Sequence, residues 1–203
     1  GTVVMFHGYR SSGRRDLSYA GKLLFEAGYD ILIVDQRSHG LSEGKYICLG
    51  QAEGQDAADW AAFADRRQQG RFPVFLYGIS MGATTVMMAS GKSLPAQACG
   101  MVADCGFSSP SYIVKHMLKK GFHLPVWPFY HLANGLFRLK TKCNFNFSTA
   151  DVLRRTSLPI LLIHGSYDRF VSPDMSRENL KASAAKEKRL YLCRDGRYYA
   201  RGA

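Results

Sequence analysis

Residues 74–85 read Val-Phe-Leu-Tyr-Gly-Ile-Ser-Met-Gly-Ala-Thr-Thr, and no other stretch limits the fold so tightly. An apolar, β-prone run enters Gly78-Ile79-Ser80-Met81-Gly82 and leaves into small and apolar residues that suit a helix. A serine on a turn that sharp sits on strained backbone, so the residues two before and two after it must be small. Gly78 and Gly82 meet that need. Strand, sharp turn, helix is the setting in which Gly-x-Ser-x-Gly becomes a nucleophile elbow, with Ser80 at its tip. The helix behind it aims N–H groups and a positive dipole end at negative charge forming near Ser80. Without those flanks the pattern describes an ordinary glycine-rich turn.

The rest of the chain alternates in the same way. Thr2–Phe6 is an apolar run that ends at His7-Gly8-Tyr9 and a loop rich in Ser, Gly and Arg. Residues 16–27 show helical spacing (Leu17, Ala20, Leu23, Leu24, Ala27), and Gly28 suits the helix end. The continuous apolar run 31–34 reads as a strand covered on both faces, ending at Asp35-Gln36-Arg37-Ser38-His39-Gly40. Residues 51–69 read as a helix with Trp60 and Phe63 toward the core, and 81–90 as the helix behind the elbow. Residues 99–103, 158–163 and 189–193 read as further strands. Ser172 and Pro173 open another helix as cap and first residue. Strands alternating with helices predict an α/β fold: a mostly parallel sheet with helices on both faces. Functional residues of such sheets gather in loops at the carboxyl ends of strands. His7, Asp35, Ser80, Asp104 and Asp168 all fall at such ends.

Residues 110–150 break the rhythm with aromatics, lysines and prolines, and read as an insertion of short helices and loops. The organisation expected is a core of residues 1–109 and 151–203 carrying a cap at 110–150.

Charge divides the chain unequally. Residues 1–109 hold 10 basic and 10 acidic side chains, and residues 110–203 hold 17 and 6, which accounts for the net +11. The basic residues form no single run and accompany no nucleic-acid motif, so a solvated basic surface is expected and no nucleic-acid partner. The charge admits an anionic membrane surface as a partner without indicating one. No apolar run approaches the roughly 18 residues needed to cross a bilayer. The five cysteines are scattered, odd in number and without metal-ligand spacing, which fits free thiols in a cytoplasmic protein. Cys99 and Cys193 are expected to be packing residues. The chain opens directly in a strand-like run and reads as one that has lost its natural start.

Four motifs in order, His7-Gly8-Tyr9, 35–40, the elbow and His164-Gly165-Ser166-Tyr167-Asp168, give the chain a resemblance to the α/β-hydrolase superfamily and its bacterial serine hydrolases. The resemblance spans nearly the whole chain. It implies that Ser80 is the nucleophile and that Met81 and Tyr9 supply the N–H donors of an oxyanion hole. Asp168 matches the acid that orients the base, with Asp104 as runner-up. His7 is expected to be structural, Asp35 with Arg37 to fix a turn, and His39 to be a loop residue. The implied reaction is cleavage of a carboxylic ester or related acyl bond of a small-molecule substrate through an acyl-Ser80 intermediate, with no cofactor and no metal.

One member of the set departs from the family pattern. The base should be a histidine beyond the last strand, and no histidine follows His164. Tyr198 or Tyr199 stands in that position, and a phenol with a pKa near 10 is a poor base at pH 7. His116, His123 and His131 lie in the insertion, and His164 ends a buried strand. A fragment or altered tail is the favoured account of the missing base, and a non-catalytic binding protein on the same fold is the alternative. The aromatics of 110–150 would either line an acyl pocket or pack the cap onto the core. No feature of the sequence sets an oligomeric state.

Overall fold

The computed structural model describes residues 1–194, and in it six strands form one parallel sheet. The strands are β1 (Thr2–Phe6), β2 (Asp30–Val34), β3 (Val74–Ile79), β4 (Ala98–Asp104), β5 (Ile160–Gly165) and β6 (Lys188–Cys193), in the order β2-β1-β3-β4-β5-β6. The chain steps from β1 outward to β2 and then returns to the far side of β1 as β3. The carboxyl ends of β1 and β3 are therefore neighbours at the point where the winding reverses, with Phe6 opposite Gly78. Crevices at such reversals are where α/β sheets place their sites.

Alternation along the strands sends side chains to two different cores. Val4, Phe6, Leu76, Met101, Ala103, Ile160 and Leu162 face one side. Helices α2 (Glu53–Arg67) and α3 (Met81–Ala89) cover them, α2 through a face of Ala57, Ala61 and Ala64 that lets the two helices approach closely. Val3, Met5 and Ile79 face the other side, against α1 (Gly13–Glu26) and its Leu17. Ser12 caps α1, its hydroxyl accepting from the Arg15 N–H. Every residue of α3 is buried, which explains why its sequence shows no polar face.

Four further helices complete the described chain. They are α4 (Pro110–His116), α5 (Val126–Thr141), α6 (Thr149–Leu153) and α7 (Pro173–Ala182), with a π-helical turn at Met117–Gly121. Ser109, Ser148 and Ser172 cap α4, α6 and α7. Residues 110–150 are thus helical as expected, although α5 spans 16 residues and is not short; it is kinked at Trp127.

Several sequence expectations change. Strand β2 is an edge of the described sheet rather than a strand covered on both faces: Ile31 and Leu32 are half-buried and Ile33 is exposed. Strand β5 alternates, with Leu161 exposed between buried Ile160 and Leu162. Cys99 is exposed because Val74 pairs with Ala98 and Phe75 with Gly100, leaving Cys99 as the extra residue of a bulge. Trp60 does pack against the core, whereas Phe63 is exposed, its ring nearly perpendicular to that of Trp60. All five cysteines are free thiols.

Leu76 and Leu162 sit at the centre of the larger core with almost no exposure. Truncating Leu162 to alanine should cost about 2–5 kcal/mol, the range for a buried leucine that leaves a cavity. Urea denaturation of Leu162→Ala against the parent measures it, and Leu161→Ala on the exposed face should cost far less.

Candidate active site

Ser80 sits between β3 and α3 with φ 55° and ψ −114°, in a region that side chains other than hydrogen rarely enter. The cause is the crossing of two backbones. A Cβ on Gly78 would lie 2.1 Å from the Gly82 carbonyl oxygen, and one on Gly82 would lie 2.1 Å from the Phe6 carbonyl oxygen. Neither position admits a side chain. The Ser80 N–H donates to the Asp104 carbonyl at 2.8 Å, and its own carbonyl accepts from Thr84 N–H at 3.1 Å. The turn is thereby held at both ends, and Ser80 itself stays half-buried.

The loop after β1 comes directly against this turn. A Cβ on Gly8 would stand 3.5 Å from the Ser80 Cβ. The Gly8 N–H donates to Asp16 Oδ2 at 2.7 Å, and the Ser11 hydroxyl donates to Asp16 Oδ1 at 2.6 Å. Asp16, in the first turn of α1, thus anchors the loop; its place in that turn was visible in the sequence, but its partners were not. Among the described residues neither the Tyr9 nor the Met81 amide donates to a protein acceptor outside regular structure.

His7 is fully buried below the loop. Its Nδ1 lies 2.7 Å from the Gly8 carbonyl and its Nε2 accepts from the Gln36 N–H at 3.2 Å, the pattern of a neutral ring. Burial pushes the imidazole below its ordinary value, against the raising effect of the Gly8 hydrogen bond. Gln36 donates from Nε2 to the His7 carbonyl at 2.5 Å and accepts the Thr85 hydroxyl at 2.8 Å. His39 stands edge-on to His7, with ring centres 4.7 Å apart, and its Nε2 accepts the Arg10 N–H at 3.0 Å. His7 is structural, as expected. His39 proves more than a loop residue, since it is buried and holds the loop after β1 to the loop after β2. Arg37 does not join Asp35: it makes a two-pronged pair with Asp56 at 2.6 Å on α2, while Asp35 accepts from Leu41 N–H.

Asp168 follows β5, two strands from Ser80. Its Oδ1 accepts the N–H groups of Phe170 and Val171 at 2.8 and 2.9 Å, which fixes the carboxylate at the sheet's carboxyl edge. His164 is fully buried beside it. Its Nε2 lies 2.9 Å from the Val171 carbonyl and its Nδ1 2.7 Å from the Ser176 hydroxyl, so both nitrogens are engaged and neither faces Ser80 as a base. Cys105, His164 and Asp168 bring donor atoms within 4.8 Å of one another. The occupied imidazole and a Cys105 thiol pushed up by burial make this a poor metal cage.

Asp104, between the two strand ends, is half-buried, and its partial removal from water pushes its carboxyl up against the opposing pull of Cys105, Tyr77 and His164. The Tyr77 hydroxyl stands 3.4 Å from its Oδ2. A cleft of about 820 Å³ opens beside α2, lined by Asp35, Arg37, Lys45, Trp60 and Lys140 among others; Ser80 is not on its wall. The exposure of 110–150 divides its aromatics: Tyr130 and Phe145 are buried within it, whereas Tyr112, Phe122, Trp127 and Phe129 face outward. Phe107, Ile113 and Phe147 pack around Met81. Tyr198 and Tyr199, the residues at the expected base position, lie outside the described residues.

Two substitutions test this geometry. Ser80→Gly should be more stable than Ser80→Ala by about 1–3 kcal/mol, because glycine relieves the left-handed strain that alanine keeps; paired denaturation curves measure the difference. Asp104→Asn should be more stable than the parent at pH 8. A carboxyl raised in the fold favours folding fully below its ordinary value of 3.8 and loses that contribution as pH rises through its raised value. The advantage of Asp104→Asn should therefore shrink as pH falls, read as melting temperatures across pH 4–8.

Comparison with known proteins agrees with this fold. The model of the family described as serine aminopeptidase, S33 matches residues 1–151. The uncharacterized protein YqkD of Bacillus subtilis is 28% identical over 200 residues, covering 97% of this chain and 64% of that protein. Caffeoylshikimate esterase of Arabidopsis thaliana is 29% identical over 122 residues, covering 59% of this chain and 36% of the esterase. The chain thus spans less than two thirds of either relative's length. Among solved structures, the Pyrococcus furiosus esterase Pf2001 superposes with a TM-score of 0.71 at 22% identity, over 94% of this chain and 72% of that one. A lipase-esterase related protein of Clostridium acetobutylicum does so with a TM-score of 0.71 at 17% identity, over 97% and 87%. These structures share the fold.

Proposed function

The chain belongs to the serine aminopeptidase S33 family of α/β-hydrolases, and from that membership we propose that it is a serine hydrolase cleaving a carboxylic ester or related acyl bond through an acyl-Ser80 intermediate. The observation that carries the reading is the left-handed backbone of Ser80, held between two glycines that admit no side chain. Strain of that kind at a non-glycine residue gathers at functional sites. Esterases among the relatives and structural neighbours support an ester as the bond broken.

In this reading the Ser80 Oγ attacks the acyl carbon and its proton passes to a base. The oxyanion that forms accepts hydrogen bonds from the Met81 N–H, at the head of α3, and from the Tyr9 N–H, on the loop that Asp16 anchors. Collapse of the intermediate expels the alcohol, and water then releases the acid from Ser80. Asp168 is the carboxylate that would orient the base and stabilise its charged form. Residues 110–150 form the cap, the substrate is a small acyl compound, and the free thiols fit a cytoplasmic setting. The chemistry calls on no cofactor.

Chain order places the base beyond β6, where the sequence offers Tyr198 and Tyr199 and no histidine. A serine hydrolase lacking its base keeps only the rate that the oxyanion hole and binding provide, roughly 10³–10⁴ over water. Incubation with a fluorophosphonate probe should label Ser80, with the label lost in Ser80→Ala, and added imidazole should raise p-nitrophenyl acetate hydrolysis by standing in for the absent base. If Ser80 takes no label at excess probe, with or without imidazole, the proposal fails and a non-catalytic binding protein on this fold takes its place.

A further inference from the structure

Residues 110–150 contain six cations, Lys115, Lys119, Lys120, Arg138, Lys140 and Lys142, and no acidic residue. Among the described residues none of the six pairs with a carboxylate. Lys115 lies over the Tyr130 ring at 4.8 Å and Lys140 over the Tyr46 ring at 6.0 Å. The other four are exposed.

Helix α5 runs through this basic segment with two apolar faces. On its inner face Tyr130 and Phe137 pack against Phe145, the latter pair with ring centres 4.5 Å apart. On its outer face Leu132, Leu136 and Leu139 repeat at helical spacing and are 60%, 51% and 71% exposed; Trp127, at the kink near the helix start, is 75% exposed. Scattered exposed leucines need no explanation, but an ordered apolar stripe along one helix face does.

The charge selects what covers it. A second copy set face to face would bring the six cations of one segment against the six of the other with no acid between them. Single-stranded nucleic acid could stack on the outward aromatics Tyr112, Phe122, Trp127 and Phe129, but would leave the leucine stripe of α5 uncovered. Exposed leucines and a tryptophan in a segment whose only charges are lysine and arginine are the composition of a helix that lies in a lipid interface. No described helix is long and apolar enough to cross a membrane, so contact would be in the plane of the surface.

We propose that the outer face of residues 110–150 docks on an anionic lipid bilayer, with the α5 leucines and Trp127 among the upper acyl chains and the cations at the level of the phosphates. The docking is independent of the chemistry at Ser80. Flotation of the full chain with vesicles of phosphatidylcholine alone, and with about one third phosphatidylserine, tests it. Binding is expected on the anionic vesicles only and is lost as salt is raised. Replacing three cations together (Lys119→Gln, Lys120→Gln, Arg138→Gln) should weaken it on the order of a hundredfold, at about fivefold per charge. Leu132→Ser with Leu136→Ser and Leu139→Ser, at unchanged charge, should weaken it roughly tenfold or more. Ser80→Ala should bind as the parent does. Equal retention on neutral vesicles, indifference to the leucine changes, tighter retention on DNA, or a dimer that the leucine changes dissolve while vesicles go unbound would each overturn the proposal.

Discussion

Two backbones pass each other with no room for a methyl group, and most of the site follows from that crossing. The head of α3 lies on the ends of β1 and β3, with Gly82 against the Phe6 and His7 carbonyls and Gly78 against Gly82. Ser80 must turn between them, and its left-handed backbone is the geometric remainder. The strain, on the order of 1–3 kcal/mol, persists because the surroundings over-determine the turn. On the helix side the Ser80 carbonyl accepts from Thr84 N–H within the fully buried α3, and on the sheet side the Ser80 N–H donates to the Asp104 carbonyl. The same crossing sets the first amide of α3 beside the serine, so the placement of the Ser80 side chain and of the Met81 N–H arises from a single packing event.

The buried polar groups around this crossing divide into two kinds. His7, Gln36 and Thr85 are each nearly or wholly buried and each is hydrogen-bonded, forming a floor under the loop after β1. Such a floor rigidifies the loop because every donor in it has somewhere to go. Asp104 is of the other kind. It has a distant phenol and a thiol for company, and its carboxyl resists ionisation. Asp168, by contrast, accepts two backbone N–H groups and remains partly exposed. The two carboxyls at neighbouring strand ends thus sit in unlike surroundings, one held by backbone amides and the other facing a phenol and a thiol.

Much of this was readable from residue order. Local chemistry determined what was legible: Gly-x-Ser-x-Gly after a β-prone run, serine caps before helices, and alternating strands and helices each act within a few residues. Properties set by distant partners were not legible. Whether β2 is covered depends on what lies beside it in the sheet, and an apolar run such as 31–34 cannot report that it is an edge. Arg37 found Asp56 across the fold rather than neighbouring Asp35. His39 gained its role by meeting Arg10 and His7, residues almost thirty positions away. Cys99 looked like a packing residue until the bulge turned it outward.

The stem of the 110–150 segment is closed. The Thr149 N–H donates to the Ser108 carbonyl at 2.9 Å, and the Ser109 hydroxyl donates to the Phe145 carbonyl at 3.1 Å. Chain leaves and re-enters the core at nearly one point, so the core experiences everything between as a single loop. Closing a loop costs entropy that grows only slowly with its length. A segment of another size or character could be grafted at the same two residues without moving a strand. The surface this protein presents outward can therefore change independently of the turn that holds Ser80.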